Sequence, residues 1–137
     1  MGFLIDTSLW IAVEQGKLSA ADIHVITKHA PVFLSPVNIA EIRLGIELMT
    51  DAKQKQRATA TFRRMRRKPL LRISAETAEV FGILAAKLIR SGRGHDFRTQ
   101  DLWLAAQAVQ QKFTVLTANA KDFQDTPNLK FVVLKMP

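Results

Sequence analysis

No cysteine occurs in this 137-residue chain, so disulfides, zinc–thiolate centres and thiol catalysis are excluded from the start. Long apolar runs are missing as well, and nothing approaches the ~20 residues needed to cross a bilayer. The opening Met1-Gly2-Phe3-Leu4-Ile5-Asp6 carries no basic n-region and soon meets an acid, which argues against a signal peptide. These absences lead us to expect a soluble cytoplasmic protein with no membrane partner. Several catalytic motifs are lacking too. There is no Gly-x-Gly-x-x-Gly, no Walker loop and no Gly-x-Ser-x-Gly elbow, so nucleotide-binding and serine-hydrolase arrangements find no support. His24, His29 and His95 show no metal-ligand spacing and read as surface or partly buried structural residues. A phosphohydrolase using Asp6 as nucleophile would want a second acid two residues on, where Ser8 stands.

Acidic charge is the last scarcity. Twelve Asp and Glu face twenty Lys and Arg, a formal net charge of +8. Such a surface attracts polyanions, nucleic acid being the commonest, or an acidic protein partner. The length suits one domain over residues 1–137, and the 47% apolar content suffices for one real core.

Pattern and caps give the elements. Phe3 to Asp6 reads as a buried strand, followed by a helix through Glu14 that Thr7 or Ser8 can cap. A helix over Ala20 to His29 and a strand over Pro31 to Ser35 come next. Ser35 is an N-cap with Pro36 in the first helical position, opening a helix to about Met49. Thr50 and Asp51 mark a new start, from which a basic helix runs to about Arg67 and stops at Pro69. Leu70 to Ser74 is a short strand candidate. Thr77, Phe81, Leu84 and Leu88 then mark a helix that ends at Ser91-Gly92-Arg93-Gly94. Thr99 can cap a helix to about Lys112. Phe113 to Thr117 is a strand, Asn119 to Phe123 a turn or short helix, and Phe131 to Leu134 the last strand. This alternation predicts a single three-layer α/β/α domain around a mostly parallel sheet, with its active site beyond the carboxyl ends of the strands. Asp6 and the segment 117–122 fall there.

The scarce acids sit among apolar residues at the ends of these elements. Val37, Glu41, Leu44 and Leu48 are spaced as one helical stripe, so Glu41 reads as an acid on an apolar face, or as one paired with a base such as Arg43. Asp101 follows the proposed cap Thr99, where the helix dipole favours an anion by about 0.3–1 kcal/mol. Leu104, Ala105 and Ala108 share its face and turn it inward. Asp6 ends a strand, where an Asx turn is the plain alternative. Asp122 could be an ordinary loop acid, and Asn119 either a turn residue or a carbonyl donor. A carboxylate embedded in apolar sequence is costly unless something pairs with it. Four of them in a basic protein suggest a shared cation, and hard oxygen donors suit magnesium or manganese. Without the ion, mutual repulsion should raise at least one of their pKa values.

Four segments, taken in order, resemble the PIN domain of VapC-type toxins, the ribonucleases of type II toxin–antitoxin pairs. They are Leu4-Ile5-Asp6-Thr7-Ser8, Ser35-Pro36-Val37-Asn38-Ile39-Ala40-Glu41, Asp101-Leu102-Trp103-Leu104-Ala105-Ala106-Gln107-Ala108 and Val115-Leu116-Thr117-Ala118-Asn119-Ala120-Lys121-Asp122-Phe123. The resemblance implies that Asp6, Glu41 and Asp101 form an acidic site for Mg2+ or Mn2+. It implies a fourth ligand at Asn119 or Asp122; we assign Asp122 and keep Asn119 as the alternative. Thr7 and Thr117 would orient the carboxylates. Asp96, in the Gly94-His95-Asp96-Phe97 loop, is an extra acid that could extend the site. The implied reaction is hydrolysis of RNA phosphodiesters by metal-activated water. A cognate antitoxin and homodimerisation are implied as well.

Lys53, Lys55 and Arg57, then Arg63, Arg64, Arg66, Arg67 and Lys68, crowd the segment before Pro69. They read as a phosphate-tracking or acidic-partner surface. Phe62 is the one aromatic among them, so base-specific stacking is not indicated. Two readings compete with the toxin: a housekeeping PIN nuclease in RNA processing, and a catalytically silent PIN-fold module that binds RNA or a partner.

Overall fold

In the computed structural model, which describes residues 2–93 and 97–135, the short apolar runs form strands and the capped periodic segments form helices. The order is β1 (Phe3–Ile5), α1 (Thr7–Glu14), α2 (Ala20–Thr27), β2 (Val32–Phe33), α3 (Pro36–Leu48), α4 (Ala52–Met65), α5 (Ala75–Arg90), α6 (Thr99–Gln111), β3 (Thr114–Thr117), a 3₁₀ turn (Ala120–Asp122) and β4 (Lys130–Val133). The four strands are all parallel, in the order β2-β1-β3-β4.

A parallel sheet must be covered on both faces, and alternate side chains of β1 and β3 divide the work. Ile5 and Leu116 enter a core built with Leu9 and Trp10 of α1, Ile23 of α2, Ile46 of α3 and Phe62 of α4. Leu4 and Val115 face the other way, onto Leu104, Ala105 and Ala108 of α6. α5 packs outside α6 through Leu84 and Leu88 against Leu102 and Ala106. The expected three layers are therefore present. Among the described residues no helix is long and apolar enough to cross a membrane.

Polar contacts fix where α3 begins. Ser35 Oγ accepts from Val37 N at 3.1 Å, and Asn38 Oδ1 accepts from Ser35 N at 2.9 Å. The other end of the same amide reaches β1, for Asn38 Nδ2 donates to Ile5 O at 3.1 Å. Gln107 of α6, also buried, accepts from Ser35 Oγ at 2.5 Å and donates to Leu71 O at 2.7 Å. These buried amides lock α3 and α6 to the sheet, because leaving any one unpaired would cost about 1–3 kcal/mol.

Four expectations need correction. Leu70 to Ser74 is not a strand; Leu70 makes a lone parallel bridge to Leu34, and Ser74 is already the cap of α5. The cap of α6 is Arg98, with Thr99 the first helical residue. Leu44 and Leu48 do not share a core face with Glu41, being 61% and 72% exposed. The inward residues of α3 are Asn38 and Ile46, with Ile39, Ile42 and Met49 packed beside them, because α3 meets the sheet one residue round from the stripe that the leucines marked. The N-cap of α1 is Asp6, so Thr7 and Ser8 are its first helical residues rather than its caps.

Leu116 lies at the centre of the sheet with no exposed surface. Leu116→Ala should lower stability by about 3–4 kcal/mol, read as a fall in the urea midpoint with unchanged slope.

Candidate metal centre

The pairing of β1 with β3 sets the first acid. Ile5 lies opposite Leu116, and Asp6 N donates to Leu116 O at 2.8 Å, which brings Asp6 beside Thr117 just beyond the strand ends. Thr117 Oγ1 donates to Asp6 Oδ2 at 2.8 Å, and Ser8 Oγ approaches the same oxygen at 3.2 Å. Asp6 is only 5% exposed. Burial pushes its pKa above the usual carboxylate value, against the hydroxyls of Thr117 and Ser8, while the charge of Asp122 raises it further.

Glu41 reaches the same end of the sheet from α3. Thr7 Oγ1 donates to Glu41 Oε1 at 2.7 Å and itself accepts from Asn38 Nδ2 at 2.9 Å. Asn38 therefore fixes the hydroxyl that fixes the carboxylate. Asp101 projects inward from the first turn of α6 and is 4% exposed. Its pKa is raised to about 7: burial is the main cause, Arg98 opposes it, and the charges of Asp6, Asp122 and Glu41 add to the rise. Asp6, Asp122 and Glu41 thus all lie within electrostatic reach of Asp101. Arg98 Nε stands 3.0 Å from Asp101 Oδ2, a charge contact rather than an aligned bond, since that buried oxygen accepts no hydrogen bond.

Asn119 is turned to another use. Its Oδ1 accepts from Lys121 N at 3.1 Å and caps the 3₁₀ turn, whereas Asp122 at the end of that turn is half-buried and faces Asp6 and Asp101 electrostatically. Asp96 and His95 lie outside the described residues. Arg63, Arg64, Arg66, Arg67 and Lys68 are all exposed around the end of α4. A pocket of about 90 Å³ between α1, α3 and α4 has Glu41 in its wall, while the larger cavity of about 650 Å³ beside α2 touches none of the four acids. Sequence reading missed Ser8, Asn38 and Arg98 as residues that touch the acids or their partners. The first two stand inside the family-like segments, and Asn38 carries a signal in its spacing of three from the cap Ser35.

Among the described residues no three His, Asp or Glu side chains stand close enough together to hold a metal ion between them. Glu41 is held by Thr7, and Asp101 by Arg98. The donors nevertheless fit an ion of the magnesium class, which takes one or two carboxylates directly and keeps several waters. The fit rests on Asp101, whose buried oxygen lacks a hydrogen bond and whose charged form is opposed by burial and by its acidic neighbours.

A family profile described as "PIN domain" matches residues 3–129. Ribonuclease VapC of Rickettsia bellii is 28% identical over all of this chain and 98% of its own length. Among solved structures, VapBC2 from Rickettsia felis bound to a DNA fragment from its promoter superposes with a TM-score of 0.82 at 22% identity, over 96% of this chain and 98% of that one. VapBC-5 from Mycobacterium tuberculosis, a member of the VapBC family of toxin–antitoxin systems, gives 0.78 at 22% identity with the same coverage.

Asp6 and Asp101 both hold a proton more tightly when folded than the ordinary aspartate value of 3.8. Both contributions are therefore complete below about pH 4 and are lost as pH rises through the folded-state pKa values, which for Asp101 is about 7. With chelator present, Asp101→Asn should stabilise the protein at pH 8 by about 1–2 kcal/mol, discounted for solvent screening at the cleft, and by much less at pH 5. Urea unfolding of both proteins at the two pH values measures the difference.

Proposed function

The chain belongs to the PIN domain family, and from that premise we propose that it is a divalent-metal-dependent endoribonuclease, the toxin of a type II toxin–antitoxin pair. The observation that supports this reading is that Asp6 and Asp101, both buried and both raised in pKa, lie within electrostatic reach of one another at the carboxyl end of a parallel sheet. Nothing structural is gained by placing two such carboxylates together; a cation repays their desolvation.

In this proposal Asp6 and Asp101 would hold Mg2+ or Mn2+, with Glu41 and Asp122 as the supporting acids. Bound there, the ion would supply a Lewis acid that lowers the pKa of a water and draws charge from the phosphate. The side chains do the positioning. Thr117 and Ser8 both bond Asp6 Oδ2 and so aim the carboxylate. Thr7 holds Glu41 by Oε1, leaving Oε2 to orient a water or take its proton. Asn38 keeps Thr7 in place from the buried side. Asn119 is spent on its turn, which favours Asp122 as the fourth acid.

The exposed arginines at the end of α4 would gather RNA by its phosphates without reading its bases. An antitoxin partner is proposed because neighbouring structures are VapBC assemblies, and a homodimer and a cytoplasmic setting accompany it.

Cleavage of a generic RNA by purified protein should require Mn2+ or Mg2+ and vanish with EDTA. Asp6→Asn and Asp101→Asn should each slow it by about a hundredfold or more. Full activity in either variant would contradict the assignment, and no activity in the wild type under any ion would leave the silent binding module as the better reading. Replacing Arg63, Arg64, Arg66 and Arg67 with Gln should flatten the salt dependence of RNA binding, lowering the log–log slope by about 0.7 for each phosphate that an arginine had neutralised.

A further inference from the structure

Arg98 has no part in the machinery above, yet among the described residues it makes the one ion pair formed by any of the four acids. Its partner is unlike it: the Arg98 side chain is 60% exposed and that of Asp101 is 5% exposed. Local helix chemistry does not explain an arginine at this position. As N-cap of α6 its side chain caps nothing; a guanidinium has no acceptor with which to do so, and a cation there opposes the helix dipole. The contact is also easily given up. Oδ2 accepts no hydrogen bond, and an exposed arginine holds an ion pair weakly because solvent can replace its partner.

Resting on the reading of the acids as a metal centre, we propose that Arg98 is the resident counter-ion of the ion-free cleft and competes with the divalent cation for Asp101. The two positive groups would compete for the same carboxylate, and the repulsion between them opposes joint occupancy. When the ion enters, the guanidinium swings outward on its exposed stem. It is then left at the lip of the cleft, with the planar donor fork that suits a phosphate. Affinity for the ion is therefore set lower than the carboxylates alone would make it, and the ion-free protein is spared a fully unbalanced acidic cluster.

The test is calorimetric titration of Mn2+ into chelator-treated full-length wild type, Arg98→Gln and Arg98→Lys at one ionic strength. Arg98→Gln should bind about three- to tenfold more tightly than wild type, and Arg98→Lys, which keeps the charge, should stay near wild type. Equal or weaker binding by Arg98→Gln beside measurable binding by wild type overturns the counter-ion and leaves the metal centre standing. Absence of binding in all three proteins overturns both. A second readout needs no variant: the Arg98 Nε–H resonance of the wild type should shift as Mg2+ saturates the site, and a resonance that stays put contradicts the proposal.

Discussion

Everything at the acidic end of this molecule depends on the parallel pairing of β1 with β3. That register places Ile5 opposite Leu116 and lets Asp6 continue the ladder through its backbone N–H. Its side chain is thereby delivered to Thr117 Oγ1. A slip of one residue would exchange the two faces of the sheet and carry Ile5 and Leu116 out of their core. The packing that secures the fold therefore also secures the first carboxylate. α3 is tied to the same point from the other side, through an Asn38 amide shared between Ser35, Ile5 and Thr7.

The second constraint is electrostatic. Asp101 is driven by burial and by three neighbouring acids toward its neutral form, and the Arg98 guanidinium opposes that drive. Hydroxyls, rather than fixed cations, do most of the positioning around Asp6 and Glu41. A hydroxyl can orient a carboxylate without neutralising it, so the cleft keeps its demand for positive charge. Meanwhile the outer surface carries the basic excess, including exposed Arg63, Arg64, Arg66 and Arg67. Exposed basic charge and buried acidic charge are thus kept in different parts of the fold, and short-range burial keeps the two from cancelling.

Much of this is legible in the sequence, for physical reasons that differ by element. The Ser35-Pro36 start of α3 and the Asp51 start of α4 are readable because capping is local chemistry, and both appear as caps in the structure. Leu104, Ala105 and Ala108 correctly mark the inward face of Asp101, and they are buried with it. Glu41 is different, since the Leu44 and Leu48 stripe that draws notice to it is exposed. Periodicity gives the width of an apolar stripe but not which edge of it meets the sheet, and α3 has apolar residues on more than one face. Leu70 to Ser74 has the composition of a strand, but composition cannot tell that only Leu70 finds a partner. Arg98 is illegible for a similar reason: its meaning lies in an ion pair across the first turn of a helix whose cap the sequence pattern places one residue late.

That these acids together hold a divalent ion is tested most directly by a crystal of the purified protein soaked in Mn2+ and measured by anomalous scattering. The expected result is one strong peak bridging Asp6 and Asp101, with Glu41 and Asp122 at the distance of an intervening water and Arg98 turned outward. A peak bound elsewhere, or an empty cleft with Arg98 still on Asp101 at saturating Mn2+, would contradict it.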